Sequence, residues 1–332
     1  MSDLRLSIAL SDYVHTRDIA DGRIRPAGID LIVNNLSFEQ AAFRFGANLE
    51  FDISEYSLAN YCARISGPEP AAVVALPVFP SRVFRHSSMY IRESSSIRDA
   101  RDLAGRRIGI PQWSQTATVY VRGWLMHDVG VPLDSITWIQ AGVDQPGRND
   151  PIRSRLPPGV RVEPRPDQTL SHLLVSGDID AIITARPPRC FVDGVTGVRR
   201  LFPDYRAEEE RYFKKSGIFP IMHVIAMKRQ VYEAHPWIAR NLMDAFEAAK
   251  RSSLERLRNI QSSHLPTAWG AEEIDRVHRL LFGGGEVWPY GLEPNRGTIE
   301  PFLMYCAEQG VTERRLKPEE LFPKEVAFEV RI

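Results

Sequence analysis

The stretch FPSRVFRHSSMY, residues 79–90, places Arg82, Arg85 and His86 around Phe84 directly after an apolar run. A guanidinium holds a carboxylate through two parallel hydrogen bonds and keeps its charge in a protein site. An imidazole titrates near neutral pH and can hand over a proton. Anion binding beside proton transfer is therefore the chemistry these residue types allow. A second imidazole, His223, sits in FPIMHVIAM (219–227), and a third, His15, follows Tyr13 near the N-terminus. Arg186 stands before Pro187-Pro188, Glu55 and Tyr56 adjoin one another, and Ser114-Gln115-Thr116 follow RRIGIP.

The elements that must carry these residues alternate. LRLSIAL (4–10) and IDLIV (29–33) read as strands. SFEQAAFRF opens a helix, with Ser37 as N-cap and Gln40 at the capping-box position. FDIS (51–54) reads as a strand leading into a helix, EYSLANYCARI, which puts Glu55 in a first turn. AAVVALPVF (71–79) is apolar on both faces, as in a buried parallel strand. A second series follows, with strands RRIGIP, ITWIQAG (136–142) and DAIITA. Helices flank them, and residues 143–168, rich in Pro, Gly and Arg, are expected to wrap the surface. PWIARNLMDAFEAAKRSSLERLRNI carries Ile238, Leu242, Phe246 and Ala249 on one helical face.

Alternating strands and helices predict an α/β fold with mostly parallel sheets. Ligands of such folds bind beyond the carboxyl ends of strands. That rule singles out Ser11-Asp12-Tyr13, Glu55-Tyr56, Arg82 to His86, Gln112 to Thr116, and Arg186. Free N–H groups opening the helix after RRIGIP could bind an anion, with the Ser114 and Thr116 hydroxyls adding donors.

At 332 residues the chain exceeds what one core usually supports, so two lobes are expected. Lys plus Arg and Asp plus Glu both number 42, and this balance argues against a nucleic-acid or anionic-membrane binder. Any anion site must be local. Three scattered cysteines give neither a metal spacing nor a disulfide framework. No stretch is long enough to span a membrane, and MSDLRLSIALSDY lacks the form of a secretory signal. A cytoplasmic location is the expectation. Gly283-Gly284-Gly285 lacks the Lys and Ser/Thr of a phosphate loop, and no GxSxG or HExxH is present.

DLAGRRIGIPQWSQTATVYVRGWL followed by LLVSGDIDAIITA resembles the second lobe of type II periplasmic solute-binding proteins. DGRIRPAGIDL, FPSRVFRHSSMYIR, RLFPDY, GIFPIMHVIAM, HPWIARNLMDAFEAAK and WPYGLEPN are more specific. Together they resemble the 4,5-dihydroxyphthalate decarboxylase family, over nearly the whole chain. The resemblance implies a two-lobed type II periplasmic-binding-protein-like fold with the ligand cleft between the lobes. Lobe one is expected at 1–86 plus 225–332 and lobe two at 87–224, with 82–88 and 220–226 crossing between them.

It further implies a cofactor-independent carboxy-lyase acting on a small aromatic dicarboxylate, with no metal, and it allows a homo-oligomer. Loss of carbon dioxide is easiest after the ring carbon is protonated, so the cleft needs a cationic clamp, a general acid and a group near the phenols. Arg82, Arg85 and Arg186 are the clamp candidates. In an extended strand Arg82 and His86 would share one face and Arg85 the other. His86 and His223 are the leading general acids, with His15 behind them. Glu55 and Tyr56 could orient the hydroxyls; Tyr13, Ser114, Gln115 and Thr116 complete the expected site. The rival reading is a non-catalytic solute-binding protein for a small carboxylate.

Overall fold

The computed structural model describes residues 3–194, 197–262 and 264–327. Two sheets organise the chain. The first runs β2 (Ile29–Asn35), β1 (Leu4–Leu10), β3 (Ile53–Ser57), β11 (His223–Lys228), β4 (Val73–Leu76). The second runs β10 (Val198–Arg200), β5 (Met89–Arg92), β9 (Ala181–Ile183), β6 (Arg107–Ile110), β7 (Thr137–Gly142), β8 (Arg161–Thr169). Pairing is parallel among β1, β2 and β3 and among β6, β7, β8 and β9; β11 is antiparallel to both its neighbours. The result is an α/β architecture of two lobes with mixed, parallel-rich sheets flanked by helices.

The chain crosses between the sheets twice, and the crossing segments lie against each other. Val83 N–H donates to Pro220 O, Met222 N–H donates to Ser81 O, and Arg82 bridges Ile221. Residues 79–88 are therefore not one regular strand: a 3-10 turn, His86–Ser88, ends them. The expected two-face alternation of Arg82, Arg85 and His86 does not apply.

Local signals explain much of the rest. Ser37 and Gln40 close a reciprocal capping box at the start of helix Phe38–Asn48. In helix Ile238–Arg258, the Ile238, Leu242, Phe246 and Ala249 face is buried. Helix Thr116–Trp124 meets helix Arg296–Glu308 so closely that a Cβ on Gly123 would stand 2.3 Å from Tyr305 Cδ2. Beside it Arg122 is buried with Cζ over Trp113, 3.7 Å from the ring centroid, and Nε donating to Gln309 Oε1 at 2.7 Å.

Two expectations need correction. Glu55 and Tyr56 lie inside β3, not in a helix, because β11 pairs along the strand through Ser57 before helix Leu58–Ile65 begins. Residues 161–169 form edge strand β8 instead of surface loop. An edge strand tolerates Pro164 and Pro166, since only one side of its backbone must pair.

Candidate active site

The pairing of β11 beside β3 brings His223 to Glu55, 168 residues apart in sequence. Glu55 is fully buried. Its Oε1 lies 2.5 Å from His223 Nδ1 and accepts from the Tyr13 hydroxyl at 2.5 Å. Oε2 accepts from the Ser11 hydroxyl at 2.6 Å and from Ser11 N–H at 3.1 Å. Ser11 and Tyr13 come from the turn after β1, at the carboxyl edge of the first sheet.

Burial works to raise the Glu55 pKa, but neighbouring His223 and the hydrogen bonds from His223, Ser11 and Tyr13 outweigh it. The group sits below the ordinary glutamate value and is a carboxylate. A carboxylate has no proton to give, so His223 Nδ1 must be the donor. That leaves Nε2 as the second ring nitrogen, and it has no hydrogen-bond partner among the described residues. Tyr13 is held as a neutral phenol: burial raises its pKa, and the Glu55 charge raises it further. Phe38 lies parallel on the His223 ring, centroids 3.5 Å apart at 7°.

Arg85 approaches from the first crossing. Its Nε donates to Met222 Sδ at 3.2 Å and Nη1 to Ala185 O at 3.1 Å, which ties the residue before His223 to the residue before Arg186. Nη2 has no partner among the described residues. Burial lowers the pKa to about 10, which leaves the guanidinium charged at neutral pH.

The other expected residues lie as follows. Arg82 is buried, with Nη2 donating to Pro289 O at 2.8 Å and to Asn295 Oδ1, caged by Phe79, Phe219 and Trp288. His86 is buried among Trp124, Tyr212 and Phe202 with Nδ1 unpartnered, and burial lowers its pKa to about 4. It lines a small cavity with Arg85, Tyr120, Trp124 and Tyr212, and neither Glu55 nor His223 is among the lining residues. His15 lies between Tyr13 and Trp288 with its ring tilted to both, and burial lowers its pKa to about 4 as well. Tyr56, one residue from Glu55, points to the other face of β3, where its hydroxyl accepts from Arg64 Nε at 2.8 Å.

Ahead of the helix start after β6, both donors of Ser114 are taken within the chain, while the N-cap residue Gln115 makes no side-chain capping bond. Asp150 accepts from Ser114 N–H at 2.8 Å and from the Ser114 hydroxyl. Thr116 Oγ1 lies 2.9 Å from Ser57 Oγ and accepts from Ala59 N–H at 3.1 Å, so it joins the lobes. Gln115 Oε1 is buried without a partner. Arg186, half exposed, faces Glu39 at 3.6 Å and Asp144 at 3.7 Å. Reasoning from sequence missed Phe38, Glu39 and Arg148; the first two signalled only a helix start, and Arg148 was one of several arginines in an irregular stretch. Among the described residues, no three His, Cys, Asp or Glu side chains converge as a metal site. No helix among them is long and apolar enough to cross a membrane.

Comparison with known proteins now bears on this cleft. The chain is 36% identical over 324 residues to the 4,5-dihydroxyphthalate decarboxylase of Comamonas testosteroni, covering 97% of each. It belongs to the 4,5-dihydroxyphthalate decarboxylase family. The enzyme of that name from Pseudomonas putida is 39% identical over 216 residues, 64% of this chain and 83% of that one. No protein-family model matches the chain. Among solved structures, the periplasmic sulfonate-binding protein SsuA of Methylobacillus flagellatus KT superposes with a TM-score of 0.54 at 12% identity, covering 98% of this chain and 93% of its own. That likeness supports the type II periplasmic-binding-protein-like fold. The relatives make the family one of carboxy-lyases, which the fold alone could not decide.

Proposed function

We propose that the chain converts 4,5-dihydroxyphthalate to 3,4-dihydroxybenzoate and carbon dioxide, with His223 as general acid. The observation that carries the reading is the buried Glu55 carboxylate, which accepts from His223 Nδ1 and leaves Nε2 to meet the substrate. Arg85 Nη2 takes one substrate carboxylate, and Tyr13 and Ser11 hold Glu55 in place.

The ring carbon bearing the departing carboxylate lies against Nε2–H. The ionised para hydroxyl pushes an electron pair through the ring, a C–H bond forms, and the Nε2–H bond breaks. The ring is then quinoid. Its bond to the carboxylate breaks, the electron pair restores aromaticity, and carbon dioxide leaves. One proton is consumed for each carbon dioxide released, and His223 regains its proton from solvent. General acid catalysis supplies about 10²–10⁴-fold of the rate, and the buried charges of the cleft supply electrostatic stabilisation beyond it.

The test is purified protein with 4,5-dihydroxyphthalate, followed by chromatography for 3,4-dihydroxybenzoate. In deuterated water one deuterium is expected at the vacated ring position. Binding without turnover of every hydroxylated phthalate would defeat the reading and favour a solute-binding role instead.

A further inference from the structure

Next to Phe38, the Glu39 carboxylate reaches across the cleft. Its Oε1 accepts from Arg148 Nη1 at 3.1 Å, and Oε2 stands 3.6 Å from Arg186 Nη1. Each arginine also has an anchor on its own side. Arg148 Nη2 donates to Gln112 Oε1 at 3.0 Å, and Gln112 is tied to Asn149 O at 2.7 Å. Arg186 faces Asp144, whose Oδ1 accepts from the Ser171 hydroxyl at 2.5 Å and from Arg189 N–H at 2.9 Å.

The two acids are therefore unlike. The Asp144 side chain is 12% exposed and fixed within lobe two, whereas that of Glu39 is 51% exposed and comes from lobe one. Exposed ion pairs add little net stability, so replacing Glu39 by another carboxylate costs little. Glu39 also follows directly on the ring that covers His223, so an aromatic ring and a carboxylate are presented together.

We propose that Arg148 and Arg186 form a second carboxylate site, filled here by Glu39, which yields to the outer carboxylate of a dicarboxylate substrate. The triad then selects dicarboxylates. A monocarboxylate held by Arg85 leaves Glu39 in place and gains nothing from lobe two. This rests on the decarboxylase reading for the class of ligand.

Calorimetric titration with phthalate and with benzoate, neither carrying the ring hydroxyls, separates binding from turnover. The wild type is expected to bind phthalate at least about tenfold more tightly than benzoate, about 1.4 kcal/mol. Glu39→Gln should widen that ratio about three- to tenfold, and Arg148→Gln or Arg186→Gln should collapse it to within about threefold. Should Glu39→Gln not fold, Glu39→Asp shortens the reach to both guanidiniums and should widen the ratio in the same direction. An unchanged or reduced ratio in the Glu39 variant overturns the proposal, as does wild type that binds phthalate no better than benzoate. Failure to decarboxylate any hydroxylated phthalate would defeat the reaction above, while the ratio of phthalate to benzoate affinity would still decide the dicarboxylate site.

Discussion

Two histidines, His86 and His223, stand at the two chain crossings and have opposite surroundings. His223 has a carboxylate on one nitrogen and an unpartnered second nitrogen at the cleft. His86 has three aromatic rings around it, an unpartnered buried Nδ1 and a pKa lowered to about 4. Residue type and strand-end position made them equal candidates. A buried carboxylate faces one ring, and a buried apolar cage holds the other neutral.

The sharpest way to break this contrast is to make the same substitution at both. His223→Gln should lower kcat about 10²–10⁴-fold with little change in KM, the size expected for loss of a general acid. Glu55→Gln should fall in the same range. His86→Gln should leave kcat within about threefold. A large loss in His86→Gln with none in His223→Gln would reverse the assignment, as steady-state kinetics would show.

Arg85→Met comes next. A hydrogen bond to a charged group contributes about 1.5–3 kcal/mol, so KM should rise about ten- to a hundredfold. The same change at Arg82, whose guanidinium bonds the Pro289 and Asn295 segment, should appear in urea unfolding more than in KM.

A smaller effect concerns acid. With a folded-state pKa of about 4 against an ordinary 6.5, His86 takes up a proton in the unfolded chain first. Stability is then lost as pH falls from about 6.5 towards 4, by up to about 3 kcal/mol, and levels off below. His86→Gln should flatten that part of the pH profile in urea titrations. A profile identical to wild type would mean that His86 is not held neutral. The smallest change is expected for Thr116→Val. It removes the Ser57 contact that joins the lobes and should cost about 1 kcal/mol of stability.

How far the sequence reached depends on range. The capping box at Ser37 and the apolar face of Ile238–Arg258 were readable because helix signals repeat within one or two turns. The alternation of elements was enough for a parallel-rich α/β fold, and FRHS and FPIMH for the family. The Glu55–His223 pair was not readable as a pair, because only the register of β11 on β3 creates it. Glu55 was placed in a helix because EYSLAN carries no strand signal without its antiparallel neighbour. Strand β8 escaped notice because it is largely exposed and shows no alternation of burial. Arg148 gave no sign at all, since its meaning comes from Glu39, 109 positions away.

The central place of β11 in the first sheet has a consequence for the nascent chain. β4 can join β1 and β3 only through a strand that begins at residue 223. During synthesis the first sheet must wait, with the edges of β3 and β4 unpaired, while the whole second sheet emerges. Such long-range closure is slow and leaves strand edges open to wrong partners. Because His223 is the first residue of that strand, the last event in completing the sheet also completes the Glu55–His223 pair. Recovery of activity on refolding should therefore coincide with the slowest structural phase and never precede it.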